Sequence, residues 1–356
     1  MKRSLIRFFL IISVLCSLKT SAQVTVSGIV MDSATREPLV GASVYCHNTS
    51  LGTATNKQGE FSLELKSGGY ELIISFTGYR TENVRISGAE SNKLEIQLVK
   101  AEKSMEEVII RSTNEVADGW DKYGDFFIKN FIGATPNAAK TSLLNHDVLK
   151  FYYYKRSNKL KVLAAEPILI DNQALGYHLR YELDSFVYYY NTDITTYRGY
   201  CLFSDMEGPD SLRKKWTDNR KKTYLGSKLQ FMRSYYDSTL TEDGFEISLL
   251  DEDNPNKFNK VKDPYDTIYY GVLDSTGEVE IWYPRKFSIS YIKKRPETEY
   301  IKKFGLPKNV GTQISYIDMK DAIIIKENGY YYDPKDWLNQ GYWSWKNLAD
   351  FLPFDY

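Results

Sequence analysis

Residues 23–100 consist of short runs in which apolar and polar residues alternate, the period of a β-strand with one buried face. Glycines stand between the runs, where turns and bulges favour positive φ. No helical period interrupts the pattern, so the sequence predicts an antiparallel β-sandwich of about seven strands. The residues that carry the alternation are Val24, Val26, Ile29, Val30, Val44, Tyr45, Phe61, Leu63, Leu65, Leu72, Ile74, Phe76, Val84, Ile86, Leu94, Ile96 and Leu98.

Beyond residue 118 helical and strand periods are mixed. Trp120, Tyr123, Phe127 and Phe131 recur every three or four residues, which predicts a short amphipathic helix. A second helix is predicted from Ser211 to about residue 237. A hairpin turn is predicted at 274–277, and residues 119–356 are expected to form an α+β, antiparallel-sheet domain with about two helices. Strands are predicted at 148–154, 159–165, 167–171, 175–183, 186–191, 245–250, 267–273, 278–283, 287–292, 312–317 and 322–326.

The first 22 residues have the three parts of a secretory signal peptide. A basic end precedes a short apolar run, and small residues stand before Gln23. The apolar run is shorter than the roughly 20 residues that a membrane-spanning helix needs. Lipid attachment at Cys16 is disfavoured because the bulky Leu15 precedes it. We therefore expect an exported protein without a transmembrane span. The residues that define the signal are Lys2, Arg3, Arg7, the run 8–15, Thr20, Ser21 and Ala22.

The charge balance and the cysteines argue against several classes of function. Removal of residues 1–22 takes away four of the 46 basic residues and none of the 46 acidic ones, which leaves a net charge near −4. A dedicated nucleic-acid binder is usually basic, so nucleic acid is not the expected partner. Cys46 and Cys201 are the cysteines that remain, and neither has the spacing of a metal or redox motif. No nucleotide-binding fingerprint is present, and no cofactor is expected.

The N-terminal region resembles a known family in specific segments. These are residues 26–32, 37–44, 51–56, 58–63 and 76–79 (VSGIVMD, EPLVGASV, LGTATN, QGEFSL and FTGY). They are similar to the carboxypeptidase regulatory-like domain, a transthyretin-like β-sandwich. Residues 105–110 resemble the tail segment that often follows it, and residues 101–118 are interpreted as a linker. The resemblance implies an envelope protein of Gram-negative bacteria, because this domain is common there and also precedes TonB-dependent transporters.

The resemblance to this domain does not imply a peptidase activity. In metallocarboxypeptidases a separate domain supplies zinc, which needs two histidines and a glutamate around an open position. The chain has three histidines, His47, His146 and His178, with no HExxH pattern, so no metal is expected. Segments 165–170, 175–177 and 224–227 resemble the portion that follows the same sandwich in other exported proteins. That resemblance implies no activity.

Aromatic residues give the first candidate site. All six tryptophans and 26 of the 29 tyrosines lie beyond residue 118. Their rings suit stacking on sugars or peptide side chains, although aromatic residues also populate the cores of sheets. The C-terminal cluster is the candidate contact surface: Tyr330, Tyr332, Trp337, Tyr342, Trp343 and Trp345.

Basic residues on the predicted second helix give the second candidate site. Such a face suits anionic lipid headgroups, acidic glycans or an acidic partner, and it is also what a solvated helix face looks like. Its members are Arg213, Lys214, Arg220, Lys221 and Lys228.

No catalytic motif stands out in residues 119–356, and no pair of carboxylates can be chosen as acid and base from spacing alone. We interpret the chain as an exported, non-catalytic envelope protein. It would bind a partner protein, peptide or glycan in the periplasm or at the outer membrane, including by peripheral association with that membrane. The alternative is a glycan or peptide hydrolase whose carboxylates lie in the C-terminal domain.

Overall fold

The computed structural model describes residues 24–86, 93–101, 113–251, 253–254, 257–273, 277–284, 286–332 and 336–356. The predicted signal peptide lies outside these residues, as does most of the predicted linker. Three hydrophobic cores organise the described chain, one in the N-terminal sandwich and two in the region that the sequence predicted as a single domain. No described helix has the length and apolar character needed to cross a membrane.

The N-terminal unit is a sandwich of two sheets, as predicted. One sheet has the order β4-β1-β7 and the other β3-β2-β5-β6. Burial alternates along β4 residue by residue, so Phe61, Leu63 and Leu65 face the core. The pairing of β1 with β7 is parallel, which corrects the prediction of a wholly antiparallel sandwich. The strands are β1 (Val24–Asp32), β2 (Ser43–Cys46), β3 (Gly52–Ala54), β4 (Glu60–Leu65), β5 (Tyr70–Ser75), β6 (Glu82–Ile86) and β7 (Lys93–Leu98).

The middle unit is a six-stranded antiparallel sheet with one helix packed on it. Phe127 and Phe131 of that helix are fully buried against the sheet, as their spacing predicted. The end of the predicted linker belongs to this unit, because Glu115 forms a β-bridge with Tyr152. The elements are α1 (Gly119–Phe131), η1 (Ala138–Lys140), β8 (Thr141–Leu143), η2 (His146–Val148), β9 (Leu149–Tyr154), β10 (Lys159–Ala164), β11 (Ile168–Asn172), β12 (Tyr177–Tyr189) and β13 (Ile194–Asp205).

The third unit has a five-stranded sheet, a three-stranded sheet and several helices around one core. Helix α2 (Asp210–Tyr224) precedes this unit and packs on the middle unit, where Trp216 donates to the carbonyl of Gln173. The elements that follow are α3 (Lys228–Tyr236), α4 (Leu240–Asp243), β14 (Phe245–Leu250), β15 (Phe258–Lys260), β16 (Tyr270–Leu273), β17 (Glu278–Ile281), β18 (Lys286–Tyr291), α5 (Thr298–Lys303), β19 (Gln313–Met319), β20 (Ile323–Ile325), β21 (Trp337–Gly341), α6 (Tyr342–Trp345) and η3 (Leu348–Asp350). The C-terminal tail then returns to the middle unit, where Leu348, Ala349 and Leu352 join the core.

The predicted second helix is two helices, α2 and α3. Gly226 separates them with a φ of 81°, a conformation that favours glycine. Ser227 caps α3, since its side chain accepts a hydrogen bond from the N–H of Gln230 at 3.1 Å. The apolar residues keep their helical spacing through Gly226 and Ser227, so their pattern does not show that one helix ends there and another begins.

Two predicted strands, 175–183 and 186–191, form one long strand, β12. A bulge between Leu183 and Ser185 lets the strand bend without ending. The strands on either side of the predicted hairpin turn at 274–277 pair antiparallel, with Leu273 opposite Glu278, and residues 274–276 of the turn lie outside the described chain. Strand β13 was not predicted.

Candidate functional site

A wide cleft of about 1820 Å³ lies where the three units meet. The sandwich contributes residues 75–81, and the middle unit contributes 180–184 and 193–200. The third unit contributes 225–229 and 342–347. The cleft is open to solvent, and its lining combines apolar, hydroxyl and charged side chains from all three units. Large concave surfaces of this kind, at the junction of structural units, are the usual places for ligand binding.

Contacts between the sandwich and β12 form one wall. Glu182 on the outer face of β12 accepts hydrogen bonds from Ser75 at 2.7 Å and Thr81 at 3.3 Å. Arg180 on the same strand pairs with Glu182 at 3.0 Å. The amide of Asn83 donates to the hydroxyl of Tyr200 on β13 at 2.8 Å. These polar contacts fix the sandwich against the outer face of the middle sheet.

The turn after β2 covers part of the free edge of β13. The N–H of Asn48 donates to the carbonyl of Cys201 at 2.8 Å, and the N–H of Phe203 donates to the carbonyl of Thr49 at 2.9 Å. Thr49 and Leu202 form a parallel β-bridge. The sandwich thus extends the middle sheet by a short strand segment.

His47 adds a side-chain hydrogen bond to this covered part of the edge. Its Nδ1 accepts a hydrogen bond from the N–H of Cys201 at 3.1 Å, and its ring meets that of Tyr200 edge-on. Burial lowers the pKa of His47 to about 4, so the ring is neutral at pH 7 and can act as an acceptor. Residues 193–200, which precede this point, all border the cleft.

A buried ionic network forms another part of the wall. Lys346 Nζ lies 3.0 Å from a carboxylate oxygen of Glu297 and 3.4 Å from one of Asp350. Asp350 also accepts from Thr135 at 2.7 Å and Asn137 at 2.9 Å. The network joins the third unit to the middle unit.

Burial raises the pKa of Asp350. Burial also opposes ionisation of Glu297, but Lys346, the Tyr342 hydroxyl and Lys294 together hold the pKa of Glu297 below its usual value. Each carboxylate is occupied by several donors, so the pair acts as a structural crosslink.

Lysines give one end of the cleft a positive charge. Lys129, at the end of α1, and Lys303, at the end of α5, both line it. Burial lowers the pKa of Lys303, and repulsion from Lys129 lowers it further. Neither lysine has a carboxylate within ion-pair distance among the described residues.

Five of the six residues of the predicted aromatic contact surface are buried, although all five border the cleft, and their role as a contact surface stays a prediction. Trp343, for example, is 6% exposed, and its indole N–H donates to the carbonyl of Gly226 at 2.8 Å. The rings of Trp337, Tyr342, Trp343 and Trp345 fill the core of the third unit, because β21 and α6 turn their apolar faces inward. Tyr332 is half-buried, with the Arg85 guanidinium 5.1 Å from its ring centre. The five buried residues are Tyr330, Trp337, Tyr342, Trp343 and Trp345.

The predicted basic face is divided. Arg213, Lys214 and Lys221 are exposed on α2. Arg220 instead donates to the carbonyls of Leu175 and Gly176, and its guanidinium lies 3.7 Å from the Tyr177 ring centre. Lys228 donates to the Tyr331 hydroxyl at 2.8 Å. Arg220 and Lys228 therefore stabilise the fold and do not belong to the exposed face.

The histidines do not come together. His146 stacks on Trp120, and His178 contacts Asp171, while His47 lies at the sandwich junction. The described part of the chain contains no group of three or more histidine, cysteine or acidic residues arranged for a metal. Cys46 and Cys201 are both buried and unpaired.

The part of the cleft that sequence reasoning missed is β13. Its run Ile194-Thr195-Thr196-Tyr197 is rich in β-branched and aromatic residues, a composition that favours strands. The sequence therefore contained a signal for this strand. It contained no signal for the pairing of β13 with the turn after β2, because those segments are about 150 residues apart and meet only in the folded chain.

Comparison with known proteins concerns mainly the sandwich. The chain is 32% identical over 94 residues to the TonB-dependent receptor SusC of Bacteroides thetaiotaomicron, a match that covers 26% of this chain and 9% of SusC. The chain thus spans less than a tenth of that relative.

A solved structure is also similar. It is a crystal structure from Bacteroides fragilis NCTC 9343 of a protein described as membrane-associated and of unknown function. The TM-score is 0.19 at 14% sequence identity, with 46% of this chain and 66% of that chain covered.

A family model, the CarboxypepD_reg-like domain, matches residues 26–110. This confirms the resemblance predicted from the sequence and extends it past residue 100 into the predicted linker. The match and the seven-stranded sandwich together identify the N-terminal unit as a CarboxypepD_reg-like domain.

Proposed function

We propose that the protein is an exported, non-catalytic binding protein of the bacterial envelope. The cleft between the sandwich and the two following units would hold a partner protein, peptide or glycan. The observation that carries this proposal is the cleft itself, about 1820 Å³ in volume and lined by all three units. The sandwich contributes to the wall of the site as well as to the stability of the chain.

The sandwich supports the envelope location. Its sequence matches the CarboxypepD_reg-like domain and a segment of a TonB-dependent receptor. Residues 1–22, predicted as a signal peptide, also support a location outside the cytoplasm.

The chemistry of the lining favours binding over hydrolysis. Glu297 and Asp350, two carboxylates with shifted pKa values that share Lys346, are held by that lysine and by hydroxyl and amide donors. The exposed groups of the cleft are hydroxyls, lysines, arginines and separate carboxylates such as Asp184 and Asp193, which recognise ligands through hydrogen bonds and charge.

Site-specific photo-crosslinking in the native host tests the proposal. A benzophenone amino acid at Thr196, within the cleft, should form a discrete adduct with the natural ligand. The same residue at Leu144, which is 55% exposed and lies outside the cleft lining, is the matched control. Adducts of equal yield and identity at both positions, or none at Thr196, would contradict ligand binding in the cleft in the native host.

A further inference from the structure

Strand β13 has a free edge that is only half covered. On one side the whole strand pairs with β12, from Ile194 opposite Tyr189 to Asp205 opposite Tyr177. On the other side the turn after β2 occupies the backbone of Cys201 and Phe203. The half of the edge that precedes Cys201 borders the cleft.

The covered half shows which backbone groups point outward. In an antiparallel ladder, the N–H and C=O of one residue point to the partner strand and those of the next point away. Cys201 and Phe203 use their outward groups to bond the turn after β2. The same alternation places the N–H and C=O of Thr195, Tyr197 and Gly199 on the free edge. Among the described residues, no hydrogen bond outside the β12–β13 ladder uses these groups.

The open half lacks the usual protection of an edge strand. Edges are normally blocked by proline, by several charges or by a covering segment, because unpaired strands recruit other strands. Residues 194–200 contain no proline and one charge, on Arg198, and their composition favours extended backbone. Every residue from 193 to 200 lines the cleft, so space lies along the edge itself and not over one face of the strand only.

We propose that an extended peptide segment of a partner protein binds here by adding a strand to β13, paired with Thr195, Tyr197 and Gly199. This inference rests on the proposed function of the cleft and specifies its ligand as peptide. The sandwich already uses the same edge at Leu202 through Thr49, so the added strand would continue an existing interaction. In strand addition, backbone hydrogen bonds supply the affinity and alternate side chains supply the specificity.

Peptides with blocked backbones test the pairing directly. Binders would first be selected from a displayed library of random 10-residue peptides with the purified chain. The best binder would then be synthesised with N-methyl groups on its odd residues or on its even residues. One of these two forms should lose at least about tenfold in affinity, and the other should stay within about threefold, since a strand donates to β13 from one edge only.

A pair of variants tests the same contact from the protein side. Thr195→Pro removes the outward N–H, which the ladder with β12 does not use, and places the proline ring on the free edge. Thr195→Ala keeps the N–H and is the matched control. We expect about tenfold weaker peptide binding for Thr195→Pro and a change within threefold for Thr195→Ala, with the folded state of each checked by circular dichroism.

The outcomes separate this inference from the proposed function. If both N-methylated forms bind equally well, or if the library yields no binder, strand addition is wrong. Crosslinks at Thr196 in the native host would then still support binding in the cleft. Loss of binding by one N-methylated form only, with no crosslink in the host, would support strand addition and contradict the proposed cellular role.

Discussion

Acidification should weaken the junction between the sandwich and the middle sheet through His47. The perturbation is the protonation of Nδ1, which accepts the hydrogen bond from the N–H of Cys201 at 3.1 Å. A protonated ring nitrogen cannot accept a hydrogen bond. Burial lowers the pKa of His47 in the folded protein from 6.5 to about 4.

The direction and size of the change in the free energy of unfolding follow from the pKa of His47 in the unfolded chain and in the folded protein. Between pH 6.5 and about 4 the unfolded chain binds a proton at His47 and the folded chain does not, so the free energy of unfolding falls as pH falls. The loss is about 1.4 kcal/mol per pH unit at most and about 3 kcal/mol across the window. Asp32, whose pKa is held at about 2 chiefly by the Tyr79 hydroxyl, acts at lower pH, between 3.8 and about 2.

Urea denaturation followed by circular dichroism at several values of pH between 4 and 7 measures this loss. His47→Gln should make the fall in the free energy of unfolding with decreasing pH smaller than in the parent protein, because glutamine does not titrate there. His178→Gln, a change at an exposed histidine, is the matched control and should keep the slope of the parent protein. An unchanged slope in His47→Gln would refute the assignment of this pH dependence to the junction.

Three further predictions concern side chains that the fold uses. Trp343→Ala should lower the free energy of unfolding by about 3 to 5 kcal/mol, measured by urea denaturation, because it empties a core position and leaves the carbonyl of Gly226 without its donor. Arg220→Ala should cost about 2 to 3 kcal/mol in the same assay through its lost carbonyl bonds, whereas Lys214→Ala on the exposed face should stay within about 0.5 kcal/mol. Asp350→Ala should lower the melting temperature in calorimetry more than Asp350→Asn, since asparagine still accepts from the buried donors.

Each of these predictions has a contradicting result. A Trp343→Ala variant of normal stability that lost ligand binding would restore the exposed-surface interpretation. Equal effects of Arg220→Ala and Lys214→Ala would mean that the hydrogen bonds of Arg220 to the carbonyls of Leu175 and Gly176 add nothing to the free energy of unfolding. Equal melting temperatures for the two Asp350 variants would show that the network does not hold the tail.

The sequence predicted the local elements well wherever one residue pattern controlled them. The alternation in β4 and the repeat of Phe127 and Phe131 in α1 were read correctly, because each element buries one face along its whole length. The single helix predicted over 211–237 was wrong at Gly226. The apolar positions kept their helical spacing through that residue, so periodicity alone could not show the break.

The candidate site was predictable only in part. Lys214 and Lys221 are exposed on α2, as charged residues of a helix face usually are, and their role as a contact face stays a prediction. Trp343 and Trp345 were expected outside and lie in the core. An aromatic side chain has an apolar ring and a polar tip, so composition alone does not decide whether it packs inside or stacks on a ligand.

The sequence by itself determined the sandwich, its family resemblance and the expectation of export, because these depend on local alternation, turn residues and a short N-terminal pattern. Only the tertiary structure decided that residues 119–356 contain two cores, that His47 reaches Cys201, and that half of the edge of β13 stays open. These features depend on contacts between segments that are far apart in sequence. The cost of closing such loops, and the contacts that offset it, are not visible in any local pattern.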